Sequence, residues 1–149
     1  MAQKNDETSS LCSSLTSENV PIVLPNNVTE LVRLLQLKSV KENVQELKRV
    51  VWALWNIALS DTGRQSCIDA GVPLALVTLS GEKAVKEDGD AAGYVASALG
   101  HIAESESGRQ SCIDAGVPLA LVTLSGEKSV KENGDAAQWV ARALGKIAE

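Results

Sequence analysis

Phenylalanine is absent from this chain, and its whole aromatic complement is Trp52, Trp55, Trp139 and Tyr94. Its core therefore has to be aliphatic, drawn from the Leu, Val, Ile and Ala that dominate a hydrophobic fraction of 44%. Histidine occurs once, at His101. With a single imidazole there is no His/Cys or His/Asp nucleophile pair, no metal-ligand spacing, and no phosphate-cradling loop to go with them. The chain reads as a protein that is not an enzyme and requires no metal or other cofactor. Cysteine is sparse too: Cys12, Cys67 and Cys112 are odd in number and widely separated. Cys67 and Cys112, equivalent residues 45 positions apart, read as small buried apolar side chains rather than as ligands or nucleophiles. Cations do not predominate, since 14 Lys and Arg stand against 19 Asp and Glu for a net charge of −5. That excludes the phosphate backbone of nucleic acids as the main partner. No apolar run approaches the roughly 18 residues that cross a bilayer, and the polar start "MAQKNDETSS" has no secretory pattern. The expectation is a cytoplasmic or nuclear protein with no membrane partner.

What the chain has instead is repetition. "GRQSCIDAGVPLALVTLSGEK" occurs at Gly63–Lys83 and again, unchanged, at Gly108–Lys128. At an offset of 45, Gly63–Glu104 and Gly108–Glu149 agree at 36 of 42 positions. A fainter third copy appears where "VVWALWNIA" (Val50–Ala58) aligns with "VASALGHIA" and "VARALGKIA". Ala, Leu, Glu and Lys in long runs favour helix, and a period of about 40–47 residues points to stacked two- or three-helix units. Within one unit a first helix is predicted over Gly63–Ala70, closed by Gly71, where glycine tolerates the left-handed conformation. A second opens with Pro73 near its start and ends before Gly81. Its stripe of Val72, Leu76, Val77 and Leu79 predicts that it is largely buried. A long third helix carries the stripe Val40, Val44, Leu47, Val51, Leu54 and Ala58 in the first unit. Ser39–Glu42 and Ser129–Glu132 are read as its capping boxes, with Gly89 and Gly134 inside it in the later units. An alternative is a shorter helix capped by Asp90 or Asp135 after a kink.

Gly-x-Pro leading into the second helix, "WALWNIA" closing the third, and the short "GRQSCIDAG" helix together resemble the armadillo repeat, the unit of the catenins and importin-alpha. The resemblance covers about Asn26–Glu149. It implies an all-α fold, a right-handed α-solenoid of about three three-helix repeats over 18–62, 63–107 and 108–149, forming one domain at 18–149. The segment 1–17 is expected to be a disordered tail, and Pro21 and Pro25 to make an extended cap in place of a first helix in the first unit. The resemblance also implies a concave groove lined by third helices, in which an extended peptide binds. Trp52 and Asn56 match the family's Trp and Asn ladder, in which the Asn amide bonds the peptide backbone and the Trp ring walls a side-chain pocket. Ser97 and His101 replace that pair in the second unit, and Arg142 and Lys146 in the third.

The two close copies differ at Ala84/Ser129, Asp88/Asn133, Gly93/Gln138, Tyr94/Trp139, Ser97/Arg142 and His101/Lys146. The last four fall within about a quarter of a helix circumference, which reads as a surface selected for binding. The expected groove is Arg49, Trp52, Asn56, Tyr94, Ser97, His101, Trp139, Arg142 and Lys146: aromatic, cationic and without a carboxylate. It suits an extended acidic or aromatic peptide. Trp55 aligns with Gly100 and Gly145 and reads as core or as a filler at one end. A second reading is a structural, self-assembling module or a piece of a longer array. Its last unit would leave Val122, Leu144 and Ile147 as an apolar patch, giving a homodimer through the C-terminal end.

Overall fold

The computed structural model describes residues 27–149. The expected tail at 1–17, the extended segment around Pro21 and Pro25, and Cys12 lie outside the described residues. Among the described residues all regular structure is helical. The helices are α1 (Val28–Leu35), α2 (Lys38–Lys41), α3 (Val44–Ile57), α4 (Asp61–Asp69), α5 (Val72–Ser80), α6 (Lys83–Lys86), α7 (Gly89–Ile102), α8 (Glu106–Asp114), α9 (Val117–Ser125), α10 (Lys128–Lys131) and α11 (Gly134–Ala148).

Side-chain caps decide where six of these helices begin. Ser60 and Ser105 accept from the backbone N–H of Gly63 and Gly108, so α4 and α8 start two residues earlier than the sequence reading placed them. Gly63 has its own reason: a Cβ there would lie 1.7 Å from the carbonyl oxygen of Ile57. Helices α5 and α9 are entered from Gly71 (φ 78°) and Gly116 (φ 84°), both left-handed as expected, with proline in the first turn. These two helices are more exposed than predicted. Val72, Leu76 and Leu79 are buried, but Leu74 and its counterpart Leu119 face solvent.

The long third helix does not form. It is broken into a single turn (α2, α6, α10) and a longer helix (α3, α7, α11), and the break is made by Asn43, Asp88 and Asn133. Asn43 accepts two backbone N–H groups, and Asp88 and Asn133 one each, from the first turn of the helix that follows, satisfying donors that have no intrahelical partner. The caps therefore lie two residues before Asp90 and Asp135, the alternatives suggested by the sequence. Gly89 and Gly134 become first residues rather than interior ones. The capping boxes at Ser39 and Ser129 do not form either, because α2 and α10 start from Leu37 and Glu127 without a side-chain cap. Ser129 Oγ instead donates to the carbonyl of Lys86 in the preceding unit at 2.5 Å.

Packing joins equivalent helices of successive units. Helix α3 lies along α7 and α7 along α11, while α4 meets α8 and α5 meets α9. The core is aliphatic, with Leu47, Val50, Leu54, Leu76, Val95, Leu99, Ile102 and Leu121 sealed from solvent. Where α7 crosses α11 the contact is made by small residues. A Cβ on Gly93 would sit 3.2 Å from Ala136 Cα, and one on Gly100 would sit 3.4 Å from Ala143 Cα. Gly100 thus allows the close approach of α7 to α11, whereas a Cβ on Gly145 would meet nothing within 4 Å.

Candidate functional site

With α3, α7 and α11 side by side, the residues expected to line a groove come from one face of each. Three hollows run together across this face. The first, of about 430 Å³, is bounded by Gln45, Lys48, Arg49, Trp52 and Tyr94. The second, of about 250 Å³, is enclosed by Trp52, Trp55, Tyr94, Ser97 and Trp139. The third, of about 340 Å³, includes Ser97, His101, Trp139, Arg142 and Lys146, together with Glu104 and Glu149. Trp52 and Tyr94 are shared by the first two, and Ser97 and Trp139 by the last two.

Eight of the nine expected residues line these hollows, and Asn56 does not. Its Nδ2 donates to the carbonyl of Trp52 one turn back at 2.9 Å, which draws the amide onto its own helix. Ser97 lines the site as a buried residue, only 5% exposed, where an exposed contact was expected. Helix α11 covers it, and its Oγ has no hydrogen-bond partner within the protein.

Trp55 is the residue that the sequence reading left out. Its ring stands between Trp52 and His101, with centroids at 6.2 and 5.8 Å, and His101 leads on to Trp139 at 6.4 Å. The guanidinium of Arg142 lies over the Trp139 ring at 5.2 Å, within cation–π range. Alignment with Gly100 and Gly145 pointed to core, whereas its position three residues after Trp52, on the same flank of a helix, pointed to the groove. All four aromatic side chains of the chain therefore converge on one cavity, and none belongs to the fully buried core.

The electrostatics differ from the expected basic stripe. Arg49 Nη1 is 3.2 Å from Glu46 Oε1, and His101 Nδ1 is 3.2 Å from Glu104 Oε2. Glu104 also lies 3.5 Å from Arg64 Nη1, and Lys48 lies 3.9 Å from Asp88. Glu46 on α3 and Asp88 at the start of α7 thus pair with the cations of α3, while Glu104, just past the end of α7, faces Arg64 and His101. Arg142 and Lys146, on α11, form no ion pair among the described residues.

The expected end patch also changes. Val122 is 54% exposed and Leu144 is half-buried, but Ile147 is buried like its counterpart Ile102 and takes no part. Ile113 is exposed as well, at 48%. The outer face of α11 also carries exposed Gln138 and Arg142 where α7 has buried Gly93 and Ser97. The last unit is thus more polar on its open side than its near-identity suggested.

Cys67 and Cys112 are free and buried, and burial pushes their thiols up to about 11 and about 12. Thiols held protonated in this way are inert nucleophiles. Among the described residues no group of three His, Cys, Asp or Glu side chains is placed to hold a metal ion, and no helix is long and apolar enough to cross a membrane. No protein-family model matches the chain, and no curated protein matches it.

Proposed function

We propose that this chain is a protein-interaction module, an armadillo-type right-handed α-solenoid of about three repeats, that binds an extended peptide across α3, α7 and α11. The observation that carries this reading is the placement of its aromatic residues. A chain with only four of them spends all four on one partly open cavity and leaves its core aliphatic. Packing alone would bury them, whereas Trp52 and Tyr94 remain 50% and 40% exposed. Aromatic and arginine side chains are the types that carry binding energy at interfaces. Neighbouring third helices about 10 Å apart and an extended strand advancing about 3.3 Å per residue give room for some six to nine peptide residues. The affinity expected from so short a groove is no tighter than about micromolar. The test is selection from a library of extended peptides, followed by titration of the selected peptide against variants. Trp139→Ala and Arg142→Ala should weaken it, while Glu82→Ala and Lys83→Ala should not. Equal affinity for both pairs would refute the groove.

A second reading rests on a different observation. Ile68 and Val77 are partly covered by the following unit, whereas their counterparts Ile113 and Val122 are 48% and 54% exposed. Joining this face to a second copy of the chain would give a two-fold dimer. Its mass in solution at tens of micromolar should then be twice that of the Val122→Glu variant. A wild-type protein that stays monomeric there rules the dimer out.

A further inference from the structure

The peptide reading can be taken to the level of ligand chemistry, on which the two hollows at α7 and α11 bear separately. We propose that the aromatic cavity receives one uncharged, apolar or aromatic side chain, and that Arg142 and Lys146 hold a carboxylate beside it on the same extended peptide. This inference rests on the groove reading above.

The alternatives for a cavity walled by Trp52, Trp55, Tyr94 and Trp139 are a cation held over ring faces and an apolar group packed against them. Two observations decide against the cation. The Trp139 ring already carries the guanidinium of Arg142 at 5.2 Å. No carboxylate lines the cavity to offset a further positive charge. A neutral side chain packed on the rings suits the wall.

The carboxylate follows from the adjoining hollow, which shares Ser97 and Trp139 with the cavity. Arg142 and Lys146 line it without an ion pair among the described residues. Of the two acidic residues there, Glu104 is engaged by Arg64 and His101, and Glu149 is exposed at the last position. A ligand carboxylate would therefore meet unpaired cations, one of them oriented by stacking on Trp139.

The experiment uses three acetylated and amidated peptides: Gly-Gly-Glu-Phe-Glu-Gly-Gly, the same with Phe replaced by Ala, and the same with both Glu replaced by Lys. Binding is followed by the indole N–H resonances of Trp52, Trp55 and Trp139 in the ¹⁵N-labelled protein. The Glu-Phe-Glu peptide should move the Trp55 and Trp139 signals, and each of the other two should bind about tenfold more weakly, a difference of about 1.4 kcal/mol. Arg142→Ala, an exposed change, should remove most of the preference for Glu over Lys while leaving the preference for Phe over Ala. A Lys-Phe-Lys peptide that binds as well as Glu-Phe-Glu, or an Arg142→Ala variant that keeps the full preference, overturns the proposal. So does the absence of any indole shift with Glu-Phe-Glu. If library-selected peptides still lose affinity in Trp139→Ala in those cases, groove binding stands and only the ligand chemistry falls.

Discussion

The second and third units, Gly63–Glu104 and Gly108–Glu149, are nearly the same sequence in two different surroundings. One is covered by its successor and the other is open. Ala92, Ala96 and Ala103 are sealed in the second unit, and their counterparts Ala137, Ala141 and Ala148 are exposed in the third. The six substitutions between the units fall into three groups. Ser129 and Asn133 reach back to the second unit, to the carbonyl of Lys86 and to Asp90 Oδ1 at 3.0 Å. Gln138 and Arg142 put exposed polar side chains where the second unit has buried Gly93 and Ser97. Trp139 and Lys146 replace Tyr94 and His101 on the candidate groove. The cluster of four differences is thus two surfaces rather than one, and Arg142 belongs to both.

Identical substitutions in the two units should break the symmetry by amounts set by cover alone. The largest contrast is Ala92→Glu against Ala137→Glu. The first buries a carboxylate without a partner and should lose about 3 kcal/mol or more, while the second should stay within about 0.5 kcal/mol, both read from urea unfolding. Next come the two first-position glycines. A Cβ on Gly89 would lie 2.6 Å from the carbonyl oxygen of Ser129, whereas one on Gly134 meets nothing within 4 Å. Gly89→Ala should therefore lose about 1–3 kcal/mol, and Gly134→Ala should be neutral or gain up to about 1 kcal/mol.

The thiols offer a contrast expected to vanish, because Cys67 and Cys112 are fully buried in both units. Burial raises both above their ordinary value of 9.0. Their contribution to stability is present in full below about pH 9 and is lost as pH rises from there toward about 11 for Cys67 and about 12 for Cys112. Stability should then fall by at most about 1.4 kcal/mol per thiol per pH unit above 9, and Cys67→Ala and Cys112→Ala should each flatten the slope. The smallest expected effect is Ser129→Ala. Losing its bond to the Lys86 carbonyl should remove about 0.5–1.5 kcal/mol, with no matching loss on changing Ala84.

Much of this architecture was legible in the residues, and where it was not the reason is local. Helical content, the left-handed Gly71 and Gly116, the proline-led helices and the buried cysteines follow from composition and turn chemistry. The break before α3, α7 and α11 was missed because an unbroken apolar stripe outweighed Asn43, Asp88 and Asn133, whose capping role depends on backbone geometry. Eight of nine groove residues were found from helical spacing. Trp55 was lost to alignment with Gly100, and the burial of Ser97 depends on how closely α11 approaches α7. The charge of the groove was misjudged because Glu46 and Glu104 stand one turn outside the stripe.

The central claim is that the four convergent aromatic residues form the ligand site, and the indole N–H resonances of Trp52, Trp55 and Trp139 test it most directly. On titration with a library-selected peptide, all three should shift together along one binding curve, and Tyr94→Ala should weaken that curve. A peptide that binds while all three indole signals stay in place would contradict the account, because its ligand would lie elsewhere on the molecule.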